Sequence, residues 1–435
     1  MHLSAWLRLA ARSLAPFPLL FIPLYAESLP DLVTLALSRN GDLQAMRKRS
    51  DEVRGLIRQA QLRPNPNLDV SYSNGPVFGS EGETDISIGL SQSIETGGKR
   101  IRRVSLAEAE LREVEWQIAD RERHLRSSIA AAFAEWLAVS RNEATARRLL
   151  ELTRQSLALV TARVAQGEVA ALEQSLLQVE SNRIRTDLIL YTGQRERAVL
   201  ALRNICGIPD TEAPPLQGDL LQMAATLPQA EKAPEEIAAA LRTRPDLAVL
   251  RAAELIGDRA VELEKSAAVP NITAFTRYSH QHQSSDGFGY SSARPIGPLS
   301  RVTDRDNILT GGVSIALPFK NRNQGNIQAA IARKEAVRLR RAYLEQSIER
   351  EVSAALLRVA AAEEASRLFD EGVVTLAEKN LTVIRKTYEL GELRLLDVIN
   401  EQRRLIEIQR TYTDTLKERV LAHIELESAR GKAKQ

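Results

Sequence analysis

Cysteine is almost absent from this chain of 435 residues, which contains only Cys206. A single thiol cannot form a disulfide within one chain, so the sequence excludes a disulfide scaffold. Aromatic residues are scarce at 4%, and 59 lysines and arginines nearly balance 56 aspartates and glutamates. Without an excess of basic charge, the composition does not indicate a nucleic-acid-binding protein.

The motifs of common enzymes are also missing. The sequence contains no His-Glu-x-x-His, no Gly-x-Ser-x-Gly and no paired cysteines, so we expect no enzyme and no cofactor. The segment "IETGGKRIRR" contains Gly98-Lys99, but a phosphate loop needs a glycine five residues earlier and a hydroxyl directly after the pair. Ser93 and Arg100 occupy those positions, which excludes a nucleotide site of that type.

Histidine is too sparse to indicate a metal centre. His280 and His282 could share one face of an extended strand and contact the same ion. No carboxylate or thiol nearby completes a ligand set with the two histidines. The sequence therefore favours a solvated external loop and predicts no metal site.

Proline is absent from two long blocks, residues 77–208 and 319–435. Because proline disrupts helix interiors, blocks of that length without it are most simply helical. From about Lys99 to Gln166 the helical pattern is unbroken, with apolar residues such as Leu125, Ile129 and Phe133 at spacing four. We predict a helix about 100 Å long there, longer than a globular domain of this size needs.

The chain contains the same unit twice. "ALSRNGDLQAMR" and "PNLDVSYS" match "ALRTRPDLAVLR" and "PNITAFTRYS" at an offset of 204 (240 − 36 and 270 − 66). "VAQGEVAALE" matches "YELGELRLLD" at an offset of 224 (388 − 164). Each copy reads as one helix of some 30 residues, two strands and two long helices, and the second copy carries about 23 extra residues near its strands.

The strands alternate between apolar and small polar residues. Leu68, Val70 and Tyr72 fall on one face, and Asp69 and Ser71 fall on the other. This period fits a lipid-facing barrel strand with a wet interior, and it fits a half-buried soluble hairpin equally well. If the strands are in a membrane, four per chain cannot close a barrel, so several chains must combine them.

The N-terminus reads as a secretory signal. Arg8 and Arg12 precede the apolar run "LAPFPLLFIPLYA", and Ala26 offers a small residue for cleavage. The alternative is an ordinary N-terminal helix. We divide the chain into a signal peptide (1–26), a first repeat (27–208), a proline-containing linker (209–233), a second repeat (234–430) and a C-terminal tail (431–435).

With this order of elements, its "GEVAALE" and "GELRLLD" turns and its "GGKR" and "NQGN" segments, the chain resembles the TolC-like outer-membrane efflux factors. The sequences of the segments "ETGGKR" and "NRNQGNI" most resemble the heavy-metal branch of the family, the CzcC-like proteins of cobalt-zinc-cadmium export. The resemblance implies a mainly α-helical chain with a small membrane β part. Three chains would form a 12-stranded outer-membrane barrel above a periplasmic helical tunnel.

The resemblance also implies a function and partners. The homotrimer would be the exit duct of a tripartite pump, in contact with outer-membrane lipid, a periplasmic adaptor (membrane fusion protein) and an RND-type inner-membrane pump. Heavy-metal cations are the cargo that the branch implies. The alternatives are drug or solvent efflux, type I protein secretion, or a periplasmic coiled-coil scaffold or adaptor without a barrel.

Three groups of residues take roles from the resemblance. The adaptor would dock on the helix tips, a periplasmic gate would lie just beyond them, and glycines would bend the chain where strands become helices. The tips could also be simple glycine turns, and the gate residues could be ordinary solvated positions. The chain departs from the family pattern at two positions. Asn400 stands where family members are often acidic, and Leu393 stands where some carry arginine. The tips are Gly167, Glu168, Val169, Ala170, Gly391, Glu392, Leu393 and Arg394; the gate is Glu173, Tyr388, Asp397 and Asn400; the joints are Gly97, Gly98 and Gly325.

Overall fold

The computed structural model of the chain describes residues 28–74, 83–209, 215–230, 232–289 and 300–431, and it describes no side chains for 284–289 and 300–302. The signal peptide predicted for residues 1–26 lies outside the described residues. So do part of the linker and nearly all of the C-terminal tail. Helices dominate, as predicted, and the four predicted strands form one antiparallel sheet.

Both copies have the same order of elements. The first copy consists of α1 (Leu29–Arg39), α2 (Gly41–Gln61), β1 (Asn67–Asn74), β2 (Thr84–Ile94), α3 (Lys99–Ala165) and α4 (Ala171–Cys206). A short helix, α5 (Leu220–Ala225), lies in the linker. The second copy consists of α6 (Ala233–Thr243), α7 (Pro245–Ala267), β3 (Ile272–Gly289), β4 (Ser300–Ile315), α8 (Gln324–Leu368), α9 (Val374–Glu389) and α10 (Leu395–Arg430).

The prediction of a single opening helix in each copy is wrong. Asn40 and Arg244 leave the helical conformation at equivalent positions, 204 residues apart (244 − 40), with ψ of 119° and 123°. Asn40 caps α2 by accepting a bond from the Leu43 amide. Pro245 starts α7, since its ring disfavours a helical conformation in the residue before it. Each opening helix is therefore two shorter helices.

The long descending helix is continuous in only one copy. α3 runs unbroken for 67 residues. In the second copy, a π-helical turn at Phe369–Val373 separates α8 from α9, and Gly372 within it has φ of 114°. That conformation is open to glycine and strained for other residues.

The residue predicted for the strand-to-helix joint of the second copy needs a correction. Gly97 and Gly98 between β2 and α3 have φ of 67° and 72°. In the second copy the left-handed residue that precedes the helix is Asn323, with φ of 59°. Gly325 lies inside the first turn of α8 and is not the joint. Asparagine tolerates this conformation better than most side chains, and Asn323 also donates to the carboxylate of Glu264 at 2.6 Å.

The sheet has the strand order β1-β2-β3-β4. The β3–β4 hairpin, with strands of 18 and 16 residues, extends well beyond the β1–β2 hairpin, with strands of 8 and 11. The extra residues of the second copy therefore lengthen a hairpin. His280 and His282 lie on β3, opposite Ile86 and Thr84 of β2. The expectation that they belong to a loop is wrong.

The two faces of the sheet differ in their exposure. Val70, Ile88, Tyr278 and Leu309 form one cross-strand row and are 48–76% exposed. On the opposite face, Ser87 is 5% exposed. A half-buried soluble hairpin would bury its apolar face instead. Ser279 on the neighbouring strand β3 is 8% exposed, whereas Ser71 on the edge strand β1 is exposed. An exposed apolar face is what a lipid-facing sheet presents.

The helical cores combine residues of both copies. One core cluster includes Leu32 of α1, Ile129 of α3, Leu202 of α4 and Leu416 of α10. A second cluster, of α6, α7, α8 and α10, lies within the second copy alone, but two further clusters again contain residues of both copies. The copies are thus not separate folding units. None of the described helices combines the length and the apolar character needed to cross a lipid bilayer.

Candidate functional site at the helix tips

The two long hairpins reverse through the same turn. Gly167 and Gly391 have φ of 76° and 83°. After Gly167 the Glu168 amide donates to the carbonyl of Arg163, and after Gly391 the Glu392 amide donates to the carbonyl of Thr387. With the bonds of the glycine amides three residues back, this is the Schellman motif, which satisfies the last carbonyls of a helix.

The predicted tip residues are mostly exposed. Val169 and Leu393 are half-buried, because both pack against the apolar cluster below them. That cluster contains Val160 and Leu177 from the first hairpin and Leu395 from the second. The structure therefore brings both tips together on one shared apolar base.

Tyr388 and Glu173 form a direct link between the hairpins. The Tyr388 hydroxyl donates to Oε2 of Glu173 at 2.8 Å. Burial, with a further contribution from Glu173, raises the pKa of Tyr388 to about 12. The phenol therefore stays protonated, and remains a hydrogen-bond donor, throughout the physiological pH range.

The other two predicted gate residues do not join this link. Asp397 caps its own helix by accepting a bond from the Arg394 amide at 3.1 Å, and Asn400 is exposed. Glu173 and Asp397 occupy equivalent positions in the two copies, 224 residues apart (397 − 173). One carboxylate spans the hairpins and the other stabilises a helix N-terminus.

Sequence reasoning missed two further polar contacts between the hairpins. Glu180 of α4 accepts two bonds from Arg403 of α10. Gln402 of α10 donates to the hydroxyl of Thr153 in α3 at 2.9 Å. No local motif marks either contact, because the partners are more than 200 residues apart in sequence.

Exposed leucines lie beside the tips, in the segments "QGEVAAL" and "LGELRLL". Leu172, Leu390 and Leu396 are 67%, 78% and 50% exposed. Among the described residues, no three histidine, cysteine, aspartate or glutamate side chains are grouped as a metal site. The arrangement can hold two helical hairpins together and present their ends to a partner.

Comparison with known sequences gives one family. The profile described as outer membrane efflux protein matches residues 32–208 and 237–432. The chain is also 24% identical over 386 residues to the cobalt-zinc-cadmium resistance protein CzcC of Cupriavidus metallidurans, covering 88% of this chain and 85% of that protein.

Solved structures show the same fold. The CusC crystal structure superimposes with a TM-score of 0.73 at 18% identity, over 93% of this chain and 92% of the other. The outer membrane protein VceC of Vibrio cholerae gives 0.69 at 17% identity, over 93% and 96%.

Proposed function

Because the chain belongs to the outer membrane efflux protein family, and is therefore an outer-membrane channel rather than an enzyme, we propose that three copies form the exit duct of a tripartite pump for heavy-metal cations. In this proposal the sheet spans the outer membrane and the long helices extend into the periplasm. The match to both halves of the chain supports the two repeats proposed at 27–208 and 234–430.

The exposed apolar face of the sheet carries this proposal. Its four strands end at β1 and β4, which pair with no further strand in the described part of the chain. In lipid, each unpaired backbone group costs several kcal/mol, and about eight strands are the minimum for a closed barrel. Three chains, joined from β4 to β1 of the next copy, would supply twelve strands and leave no edge.

Exposed apolar residues on the helices agree with closure by further copies. Leu376, Val383 and Leu390 are 60%, 61% and 78% exposed on α9, at intervals of seven residues. Leu172 and Val179 are 67% and 65% exposed on α4, also seven residues apart. Spacing by seven is the repeat with which helices pack along a seam. We propose that Leu376, Val383 and Val179, the members of these rows away from the tips, meet neighbouring chains in the trimer, whereas Leu390 and Leu172 stay accessible at the tips.

The cargo and partners rest on the relatives. CzcC is by name a cobalt-zinc-cadmium resistance protein, and this supports metal cations as the exported substrate. Channels of this family work with a periplasmic adaptor and an inner-membrane pump, here of the RND type. We propose that the adaptor docks on the tips around Gly167 and Gly391, and that Glu173, Tyr388, Asp397 and Asn400 form the gate.

Deleting the gene from its own host tests the cargo. We expect hypersensitivity to zinc, cobalt or cadmium, reversed by the intact chain, with unchanged tolerance to hydrophobic drugs. Growth inhibition across concentration series of both classes measures this. Hypersensitivity to drugs alone would refute the metal cargo while leaving the exit duct in place.

The gate is tested by replacing Tyr388 with phenylalanine. A hydrogen bond to a charged group stabilises by about 1.5–3 kcal/mol. Its loss should therefore raise the ratio of open to closed mouths by roughly 10- to 150-fold. We expect a higher conductance of purified trimers in planar bilayers.

Tyr412→Phe is the matched control for this gate variant. Tyr412 also donates to a carboxylate, Asp370, at 2.8 Å, and burial with this bond raises its pKa to about 12. Both partners of that bond belong to the second copy, so its loss leaves the hairpins joined. Equal conductance in the two variants would contradict the assignment of Tyr388 to the gate.

A further inference from the structure

The contact between Glu180 and Arg403 differs in kind from the link at Tyr388. The side chain of Glu180 has no exposed surface. Its Oε2 accepts from Nε of Arg403 at 3.0 Å and from Nη2 at 2.8 Å. Arg183, on the same helix, places its Nε 3.7 Å from Oε1. A carboxylate removed from water thus depends on an arginine of the other hairpin for its hydrogen bonds.

The Glu173–Tyr388 and Glu180–Arg403 contacts lie along the same helix, α4. Glu180 follows Glu173 by seven residues on α4, so both carboxylates lie on the same helix face, about 10 Å apart along the axis. Glu180 is the one farther from the tip. The bond between Gln402 and Thr153 also joins the hairpins and is fully buried. The link nearest the tip is therefore a single hydrogen bond, whereas the links farther in are more numerous and include the buried carboxylate of Glu180 and the buried bond of Gln402.

The surroundings of Glu180 keep water away from it. Leu177 and Ile184, one turn to either side on α4, are 2% and 1% exposed. Each belongs to an apolar cluster that includes residues of both hairpins. If Arg403 moved away, the carboxylate would lose both of its hydrogen bonds and keep only Arg183, 3.7 Å from Oε1, and breaking one partner away from a buried ion pair is strongly destabilising.

Glu173 is in the opposite situation. It is only half-buried and lies in the first turn of α4, next to the exposed tip. When Tyr388 moves away, water can hydrate this carboxylate at once. The link at Tyr388 is therefore the one that opens at low cost.

We propose that the Glu180–Arg403 pair is the pivot of the gate. The hairpins separate below it, where Tyr388 releases Glu173, and they stay joined at it. Glu180 and Arg403 are positioning residues, which set how far up the helices the opening extends. The inference rests on the proposed exit duct, because the pivot has a function only if the mouth opens.

Distances between spin labels test the pivot in purified full-length trimers. Cys206, the only cysteine, is first replaced by serine. One pair of labels at Glu168 and Glu392 reports the tips, and a second pair at Thr186 and Glu407, exposed positions beyond the pivot, reports the upper helices. In Tyr388→Phe we expect the tip distance to lengthen by several ångströms and the upper distance to stay unchanged.

Adding Glu180→Gln to Tyr388→Phe should lengthen the upper distance as well. Arg183→Gln is the matched control, because it removes a charge beside Glu180 without removing a contact between the hairpins. Arg403→Lys keeps the positive charge and should preserve the short upper distance. These two variants separate the pairing of charges from a general loss of packing.

Each outcome decides the proposal. A longer upper distance in Tyr388→Phe alone overturns the pivot, and so does an unchanged upper distance after Glu180→Gln is added. If Glu180→Gln does not yield trimers, Tyr388→Phe alone and Arg403→Lys still decide. Absence of conductance in planar bilayers would count against the exit duct, whereas the label distances test the pivot separately.

Discussion

Replacing Val70 by arginine should prevent the chain from assembling in the outer membrane. Val70 is 68% exposed and lies midway along the edge strand β1, in the apolar row that contains Ile88, Tyr278 and Leu309. An arginine facing lipid near the bilayer midplane costs about 2–4 kcal/mol. A trimer would incur that cost three times, which is comparable to the whole stability of many proteins.

Ser71→Arg is the matched control on the neighbouring residue. Ser71 lies on the opposite face, where its hydroxyl is 2.7 Å from that of Ser87. An arginine there would face the proposed aqueous interior, so we expect trimers to form. Heat-modifiable trimer bands in outer-membrane fractions compare the two variants. If Val70→Arg assembles as well as Ser71→Arg, the apolar face does not contact lipid.

Replacing Gly391 by valine should abolish pump assembly while leaving the channel intact. Gly391 has φ of 83°, and a Cβ there would meet no atom within 4 Å. The effect therefore comes from the backbone, because left-handed conformations cost about 1–2 kcal/mol for residues with a Cβ and more for branched ones. Relief of that strain would distort the turn and the surface around Leu390.

The expected result is loss of metal resistance with normal conductance of the isolated trimer. Cross-linking to the adaptor in cells measures docking directly. Gly391→Asn is the control at the same site, because asparagine tolerates the left-handed region; it should dock. If the Gly391→Val variant cross-links to the adaptor as well as the unchanged chain does, the tip is not part of the docking surface.

Much of the fold could be predicted from the sequence. The proline-free blocks located the long helices, and the alternating residues located all four strands. The break at Arg244 was missed although Pro245 marks it in the sequence. The break at Asn40 was missed because a helix cap depends on local bonds, here that from the Leu43 amide, which the apolar pattern does not encode. Gly325 was predicted as the joint of the second copy, whereas the left-handed residue before α8 is an asparagine, Asn323.

The site was only partly predictable. Glycine turns are visible in sequence, so both tips were found, and the resemblance supplied Tyr388 and Glu173. Glu180 and Arg403 were not found, because each looks like a solvated charge on a long helix. Their pairing depends on which helix faces meet, and that is set by packing between the two copies.

The length of the unbroken helix α3 sets how far the chain reaches from the sheet. Its 67 residues, at about 1.5 Å each, fix the distance from the sheet to the first tip at about 100 Å. Seven residues more or fewer would change that reach by about 10 Å while nearly preserving which faces pack. The number of residues in α3, rather than their chemistry, thus sets the distance that the channel can span between the outer membrane and its partner.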